Sequence, residues 1–110
     1  MNKNKELLKG STGTMILHLL ERRELYGYEL IKELERTSGG AFQLKEGTLY
    51  PILHAMESTG TVVAYWQEAE GRKRKYYRIT DQGKQLLKEK KAEWRMFRNA
   101  VDSVLGEGQA

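Results

Sequence analysis

The spacing of the apolar residues changes twice along this chain of 110 residues, and the changes limit the folds available to it. Up to Gly60, apolar residues recur at the three- and four-residue intervals of an α-helix. Between Thr61 and Ile79 the spacing changes to two, as in β-strands, in two short runs that contain Val63 and Tyr65, and Tyr77 and Ile79. From Asp81 the helical spacing returns. The sequence therefore predicts a mainly α-helical fold with one small β-hairpin before the last helix.

Three helices are predicted before the hairpin. The first extends from about Ser11 to Arg22, and the second ends at Gly39, because glycine readily takes the left-handed conformation found after a helix. The third helix ends at Gly60, and its apolar stripe consists of Leu49, Ile52, Leu53 and Met56. Because the stripe begins at Leu49, we expect Pro51 to lie inside this helix and to bend it.

The hairpin is predicted from two alternating runs. Val63 and Tyr65 belong to the first run, and Tyr77 and Ile79 to the second. The polar residues 67–73 separate them, so we expect a loop longer than a two-residue turn. Two strands joined in this way form a small antiparallel ribbon.

The last helix is predicted to begin after Thr80, which can cap it, and to continue to Leu105. Apolar residues recur along one side of it at intervals typical of a coiled coil. This apolar seam consists of Leu87, Trp94, Phe97, Val101 and Val104. Its spacing predicts that the helix packs lengthwise against another helix.

The excess positive charge of the chain lies in one short block, residues 72–78. The net charge is +4, and residues 72–78 contain five basic residues and no acidic one. The rest of the chain holds 14 basic and 15 acidic residues, a net charge of −1. Such a block is either a solvated surface or a contact for a polyanion, and its placement among tyrosines favours the contact.

Composition excludes several classes of protein. The chain has no cysteine and only two histidines, which excludes disulfides, cysteine-based zinc sites and histidine-rich metal sites. Neither a phosphate-binding loop nor a Gly-x-Ser-x-Gly motif is present, so we expect no enzyme, no catalytic residues and no cofactor. No apolar run approaches the roughly 18 residues of a membrane span, and the N-terminus does not resemble a signal peptide. We therefore expect a cytoplasmic protein.

Three helices followed by a basic hairpin describe a winged helix-turn-helix, whose third helix enters the major groove of DNA. We assign residues 1–80 to this domain. Residues 81–106 form a C-terminal helix of the same compact unit, and residues 107–110 form a frayed tail.

Three segments carry a resemblance to a known family. They are residues 26–30 (YGYEL), 47–53 (GTLYPIL) and 71–80 (GRKRKYYRIT), with Gly83 following. In this order and spacing they resemble the PadR family of transcriptional regulators, and the resemblance extends from about Leu7 to Leu105. The single C-terminal helix resembles the short-form members of that family.

The resemblance to this family implies an oligomeric state, a DNA target and a response to ligands, which the spacing of apolar residues does not. PadR-family members are homodimeric winged-helix DNA-binding proteins, mostly repressors, which bind inverted repeats near promoters. Many are released from DNA by a small molecule, and some bind aromatic or cationic drugs at the dimer interface. We therefore expect a homodimeric repressor that binds double-stranded promoter DNA and responds to a ligand or to stress.

DNA-binding residues are expected at the start of the second helix, in the first half of the third helix and at the hairpin tip. The resemblance also implies that Pro51 lies inside the recognition helix. The residues assigned to DNA binding are Tyr26, Tyr28, Lys45, Gly47, Thr48, Tyr50, Pro51, His54, Arg72, Lys73, Arg74 and Lys75. We expect one tyrosine of the second helix to be buried and the other to lie near DNA, and we expect Tyr76 and Tyr77 to anchor the hairpin.

The first and last helices are expected to form the dimer interface. The residues assigned to it are Leu7, Leu8, Leu87, Trp94, Phe97, Val101, Val104 and Leu105. Two alternatives remain open for Trp94: a buried dimer contact, or one wall of a pocket for a small-molecule effector between the subunits. Lys91 and Arg98 lie close by in sequence and favour an anionic ligand, or no ligand, over a cationic drug.

Two other functions remain as alternatives. A winged helix can also bind another protein, but that function predicts an acidic or apolar hairpin rather than a basic one. The basic hairpin also allows a non-specific binder of nucleic acid, including RNA, as a minor alternative.

Overall fold

The structure, a computed structural model, describes the backbone of residues 5–108 and the side chains of residues 10–108. Two predicted dimer residues, Leu7 and Leu8, therefore lie outside the described side chains. The predicted order of helices and hairpin is confirmed. The elements are α1 (Lys5–Arg22), β1 (Leu25–Tyr26), α2 (Gly27–Thr37), α3 (Glu46–Thr59), β2 (Val62–Ala69), β3 (Arg72–Ile79) and α4 (Asp81–Leu105).

The core lies where α1, α2 and α3 meet one face of the sheet and the first half of α4. Each helix contributes the apolar side of its predicted stripe, and burying one such aliphatic side chain stabilises the fold by about 1.5–3 kcal/mol. The most deeply buried members are Ile16, Leu17, Leu25, Leu30, Leu49, Leu53, Val62, Tyr77 and Leu87.

The sheet has three strands, not the two that were predicted. Its order is β1-β3-β2, and all neighbours are antiparallel. The additional strand consists of Leu25 and Tyr26, which lie opposite Tyr77 and Tyr76 of β3. A strand of two residues is too short to show alternation, so the sequence pattern contained no sign of it.

The hairpin turn is tighter than predicted. β2 and β3 are joined by Glu70 and Gly71 alone, with φ angles of 54° and 75°. Two positive φ angles are typical of the two-residue turn that matches the twist of a hairpin. The prediction of a longer loop was wrong because polar residues of the hairpin remain paired, as at Glu68 and Lys73. This part of the ribbon extends beyond the core, so its sequence shows no apolar side.

The predicted ends of α1, α3 and α4 are confirmed, but α2 ends at Thr37 rather than at Gly39, and α1 starts earlier than predicted. The hydroxyl of Thr80 accepts a hydrogen bond of 3.0 Å from the Gly83 amide and caps α4. Pro51 lies inside α3, and Gly60 follows that helix with a φ of 84°. α1 begins at Lys5 rather than near Ser11, because its glycines do not interrupt a helix that packs against the core.

The first turn of α4 tolerates only glycine at position 83. A Cβ atom there would press against the carbonyl oxygen of Thr61 and lie 2.7 Å from Cγ1 of Ile79. We predict that Gly83→Ala lowers the free energy of unfolding by about 2–3 kcal/mol, because backbone must move to admit the methyl group. Urea denaturation measures this change.

Gly47→Ala is the matched control for this prediction. Position 47 is also helical, but no described atom lies within 4 Å of a Cβ placed there. We expect this variant to be as stable as the parent or slightly more stable. Equal stability of the two alanine variants would contradict the close packing at Gly83.

Candidate nucleic-acid interface

A groove of about 660 Å³ separates α3 from the hairpin. Its walls contain four consecutive basic residues and no acidic one. It is lined by Tyr26, Gly27, Tyr28, Tyr50, His54, Trp66, Arg72, Lys73, Arg74, Lys75 and Tyr77. The fold thus brings together residues of α2, α3 and the hairpin that were assigned to DNA binding.

The remaining predicted residues of α3 lie on its exposed side. Gly47, Thr48, Pro51 and His54 are exposed, while Leu49 and Leu53 on the opposite side are fully buried. Lys45 is exposed as well and precedes the first turn. Pro51 lacks the amide that would bond to the carbonyl of Gly47, one turn earlier. α3 therefore presents a polar, solvent-facing surface along its first half.

Tyr50 occupies the wall of the groove rather than the exposed side of α3. It is half-buried, and its ring packs so closely on Gly27 that a Cβ there would lie 2.8 Å from Cζ of the tyrosine. Burial, with a contribution from Glu46, raises the pKa of Tyr50 above its usual value. Tyr50 therefore joins α3 to the start of α2.

The two faces of β3 hold their basic residues differently. Arg74 lies over the ring of Tyr26, with its guanidinium carbon 4.4 Å from the ring centre. On the other face, Nζ of Lys75 lies 3.6 Å from a carboxylate oxygen of Glu57. Arg72 and Lys73 lie nearer the turn and are exposed. The residues closest to the tip are thus the freest to meet a ligand.

Aromatic contacts anchor the hairpin, as predicted for Tyr76 and Tyr77. The ring of Tyr76 stacks on Tyr65 with 5.8 Å between centres, and its edge meets Tyr26 at 5.3 Å. The Tyr65 hydroxyl donates a hydrogen bond to Glu24, which raises the pKa of Tyr65 to about 12. Tyr26 is half-buried rather than buried, Tyr28 is exposed, and both line the groove. That one of them lies near DNA stays a prediction.

Trp66 is a groove residue that the sequence interpretation missed. It lies on β2 opposite Lys75, and 66% of it is exposed. Alternation did not single it out because the strand around it has no buried side. A tryptophan directly opposite a basic residue of the hairpin was the available signal.

The apolar seam of α4 divides into a buried and an exposed part. Leu87 is only 1% exposed and belongs to the core of its own chain, so its assignment to a dimer interface was wrong. The other members are exposed, namely Trp94, Phe97, Val101, Val104 and Leu105. Trp94 and Phe97, 6.1 Å apart, also border a second cavity of about 680 Å³ together with Met15, Phe42 and Lys90.

Neither a metal centre nor a membrane segment is found in the described part of the chain. Within residues 5–108, no three histidine or acidic side chains are grouped so as to hold a metal ion. None of the described helices has the length and apolar character needed to cross a membrane.

An exposed polar helix beside a basic β-ribbon defines a winged-helix DNA-binding fold. The chain belongs to the transcriptional regulator PadR-like family, whose model matches residues 16–89. It is accordingly a transcriptional regulator and not an enzyme.

Individual relatives agree with this assignment. An uncharacterized protein of Lysinibacillus sphaericus is 36% identical over 98 residues, which cover 88% of this chain and 90% of that protein. The transcriptional regulator Rv3488 of Mycobacterium tuberculosis is 32% identical over 102 residues, covering 93% and 90%. The structure of a transcriptional regulator from Clostridium thermocellum matches with a TM-score of 0.84 at 32% identity, covering 90% of this chain and 97% of the other.

Tyr77, at the base of the groove, supplies a prediction about stability and pH. Its side chain is fully buried, and its hydroxyl has no hydrogen-bond partner among the described residues. Burial raises the pKa of Tyr77 to about 12, and Glu57 and Tyr50 add to the effect. We predict that Tyr77→Phe raises the free energy of unfolding by about 1 kcal/mol, because it removes an unpaired buried polar group.

The same substitution should alter the dependence of stability on pH. The unfolded chain releases the phenolic proton near pH 10, whereas the folded chain keeps it until about pH 12. The contribution of Tyr77 to the free energy of unfolding is therefore fully present below pH 10 and is lost as the pH rises towards 12. Denaturant titrations between pH 9 and pH 11.5 should show the parent losing stability relative to Tyr77→Phe. A constant difference would contradict the raised pKa.

Proposed function

We propose that this regulator is a repressor that binds an inverted-repeat operator as a homodimer. The observation that supports it best is the groove itself, which has basic and aromatic walls and no acidic lining residue. A polyanion of regular shape is the complementary ligand, and double-stranded DNA is such a polyanion.

Within this proposal, α3 reads the sequence and the hairpin tip holds the backbone. The exposed side chains of Thr48 and His54 face the base edges of the major groove, because a recognition helix uses its N-terminal part for this contact. Arg72 and Lys73 neutralise phosphates, which positions the protein without selecting a sequence. Two copies of α3 would enter successive major grooves about 34 Å apart.

The exposed part of the α4 seam supports the homodimer. Large apolar side chains such as Trp94, Phe97 and Val104 stand on one side of the helix, and half or more of each is left uncovered by its own chain. Contiguous apolar surfaces of this kind mark interaction sites. An effector bound beside Trp94 would act by favouring one arrangement of the two subunits over another, since a ligand with equal affinity for both changes nothing.

Equilibrium binding to DNA from upstream of the gene tests the proposal. Fluorescence anisotropy is measured on this duplex and on a scrambled duplex of equal length, at several salt concentrations. We expect tight binding to the natural duplex alone, with two subunits bound. Equal, weak binding to both, lost as salt is added, would indicate a non-specific binder. No binding at low salt would favour the protein-interaction alternative.

The hairpin tip should account for a large part of the salt dependence. We predict that Arg72→Ala combined with Lys73→Ala weakens binding to both duplexes and makes the slope of log K against log salt shallower by about 3–4. The reason is that a dimer loses four phosphate contacts, each worth about 0.9 in this slope.

Lys84→Ala combined with Lys88→Ala is the control of equal charge. Both lysines are exposed on α4, outside the groove. This variant should keep the parental slope. An unchanged slope in the hairpin variant, or the same change of slope in the hairpin and control variants, would contradict phosphate binding by the hairpin tip.

Adjacent residues of α4 allow a matched test of the dimer. Phe97 lies on the seam and is 59% exposed, while Met96 is 74% exposed and points away from the seam. Because neither is buried, we expect Glu at either position to leave the fold intact. We predict that Phe97→Glu is monomeric in sedimentation equilibrium and that Met96→Glu remains dimeric. A monomeric parent protein would refute the interface.

A further inference from the structure

Trp66 is exposed to a degree that is unusual for the largest apolar side chain. Two-thirds of it is open to solvent, in the middle of a regular strand. A tryptophan exposed to this degree buries little of its ring within its own chain, whereas the same ring buried at an interface is among the strongest single contacts. The position of Trp66 therefore indicates a ligand that covers its ring.

The register of the hairpin decides which way Trp66 faces. It lies opposite Lys75, and paired residues of neighbouring strands share a face of the sheet. Lys75 contacts Glu57 of α3, so this face is turned towards α3. The indole accordingly borders the groove together with His54 of α3.

The surroundings of Trp66 select the chemistry of its ligand. Basic residues at positions 72–75 line the same groove, and no acidic side chain does. A ligand that fits must be anionic at regular intervals and apolar in between, because phosphates suit the basic residues and a flat indole suits a ring. The backbone of double-stranded DNA, in which deoxyribose rings alternate with phosphates, meets both requirements.

We propose that Trp66 is a DNA-binding residue that packs against deoxyribose between the phosphates held by the hairpin tip. The inference rests on the proposed function and adds a residue and a type of contact to it. The contact between the Trp66 indole and deoxyribose is apolar and releases no counterions, so it changes the affinity for DNA but not the salt dependence of binding. Since deoxyribose is the same at every base, this contact strengthens binding equally to the operator and to the scrambled duplex.

Substitution of Trp66 tests the inference through affinity and salt slope together. We expect Trp66→Ala to bind both duplexes about a hundredfold more weakly, because a dimer loses two aromatic contacts to nucleic acid, each worth about tenfold. The slope against salt should equal that of the parent, and Trp66→Phe should recover most of the loss. Val63→Ala is the matched control, because Val63 lies on the same strand and on its other face.

Intrinsic fluorescence supplies a second readout that does not depend on the alanine variant. The chain has two tryptophans, Trp66 and Trp94. Addition of DNA should change the emission of the parent protein, and the change should disappear in Trp66→Phe although that variant still binds. A change that persists in Trp66→Phe comes from Trp94 and overturns the inference.

The outcomes separate this inference from the proposed function. A parent protein that binds no DNA overturns both. A parent that binds normally, with Trp66→Ala equal to it in affinity, overturns the role of Trp66 alone. A loss accompanied by a shallower salt slope also overturns it, because the residue would then act through the charges around it.

Discussion

The pairing of β1 with β3 is the interaction on which the geometry of the groove depends. β1 consists of Leu25 and Tyr26, and α2 begins at the next residue. The hairpin is therefore attached to the start of α2 by backbone hydrogen bonds. Arg74 and Tyr76 reinforce the attachment by packing on the ring of Tyr26. Without this pairing, a two-stranded ribbon that extends beyond the core would have little to fix its angle to α3.

The opposite wall of the groove is fixed by a close contact between two helices. Tyr50 of α3 packs on Gly27, where any side chain would collide with its ring. The hairpin and α3, which form the two walls of the groove, are thus both held by contacts with the same short stretch of chain, residues 26 and 27. Tyr26, Gly27 and Tyr50 line the groove and also set the distance between its walls. His54 and Lys73 line it with exposed side chains.

Most of the fold follows from apolar spacing, and the exceptions have local causes. Pro51 was placed inside α3 correctly, because the buried stripe on both sides of it outweighs one lost hydrogen bond. β1 could not be foreseen, since its residues pair with Tyr76 and Tyr77, far away along the chain, and two residues show no period. Leu87 was wrongly assigned to the dimer interface because the apolar seam of α4 has one part that packs in the core and another that is exposed. Its first turns cover the core of the chain, and its later turns extend beyond that core.

The start of α4 connects the exposed seam to α3. The Thr80 hydroxyl donates a hydrogen bond of 2.6 Å to the carbonyl of Gly60, and the amide of Gln82 donates one of 2.8 Å to the carbonyl of Thr59. Both acceptors lie at the end of α3, where backbone carbonyls have no partner within the helix. Because Gly83 packs directly on the backbone of Thr61, the start of α4 is held closely against the end of α3. In the homodimer proposed above, a change in how the two α4 helices meet would therefore be carried to α3 and would alter the spacing between the two copies of α3.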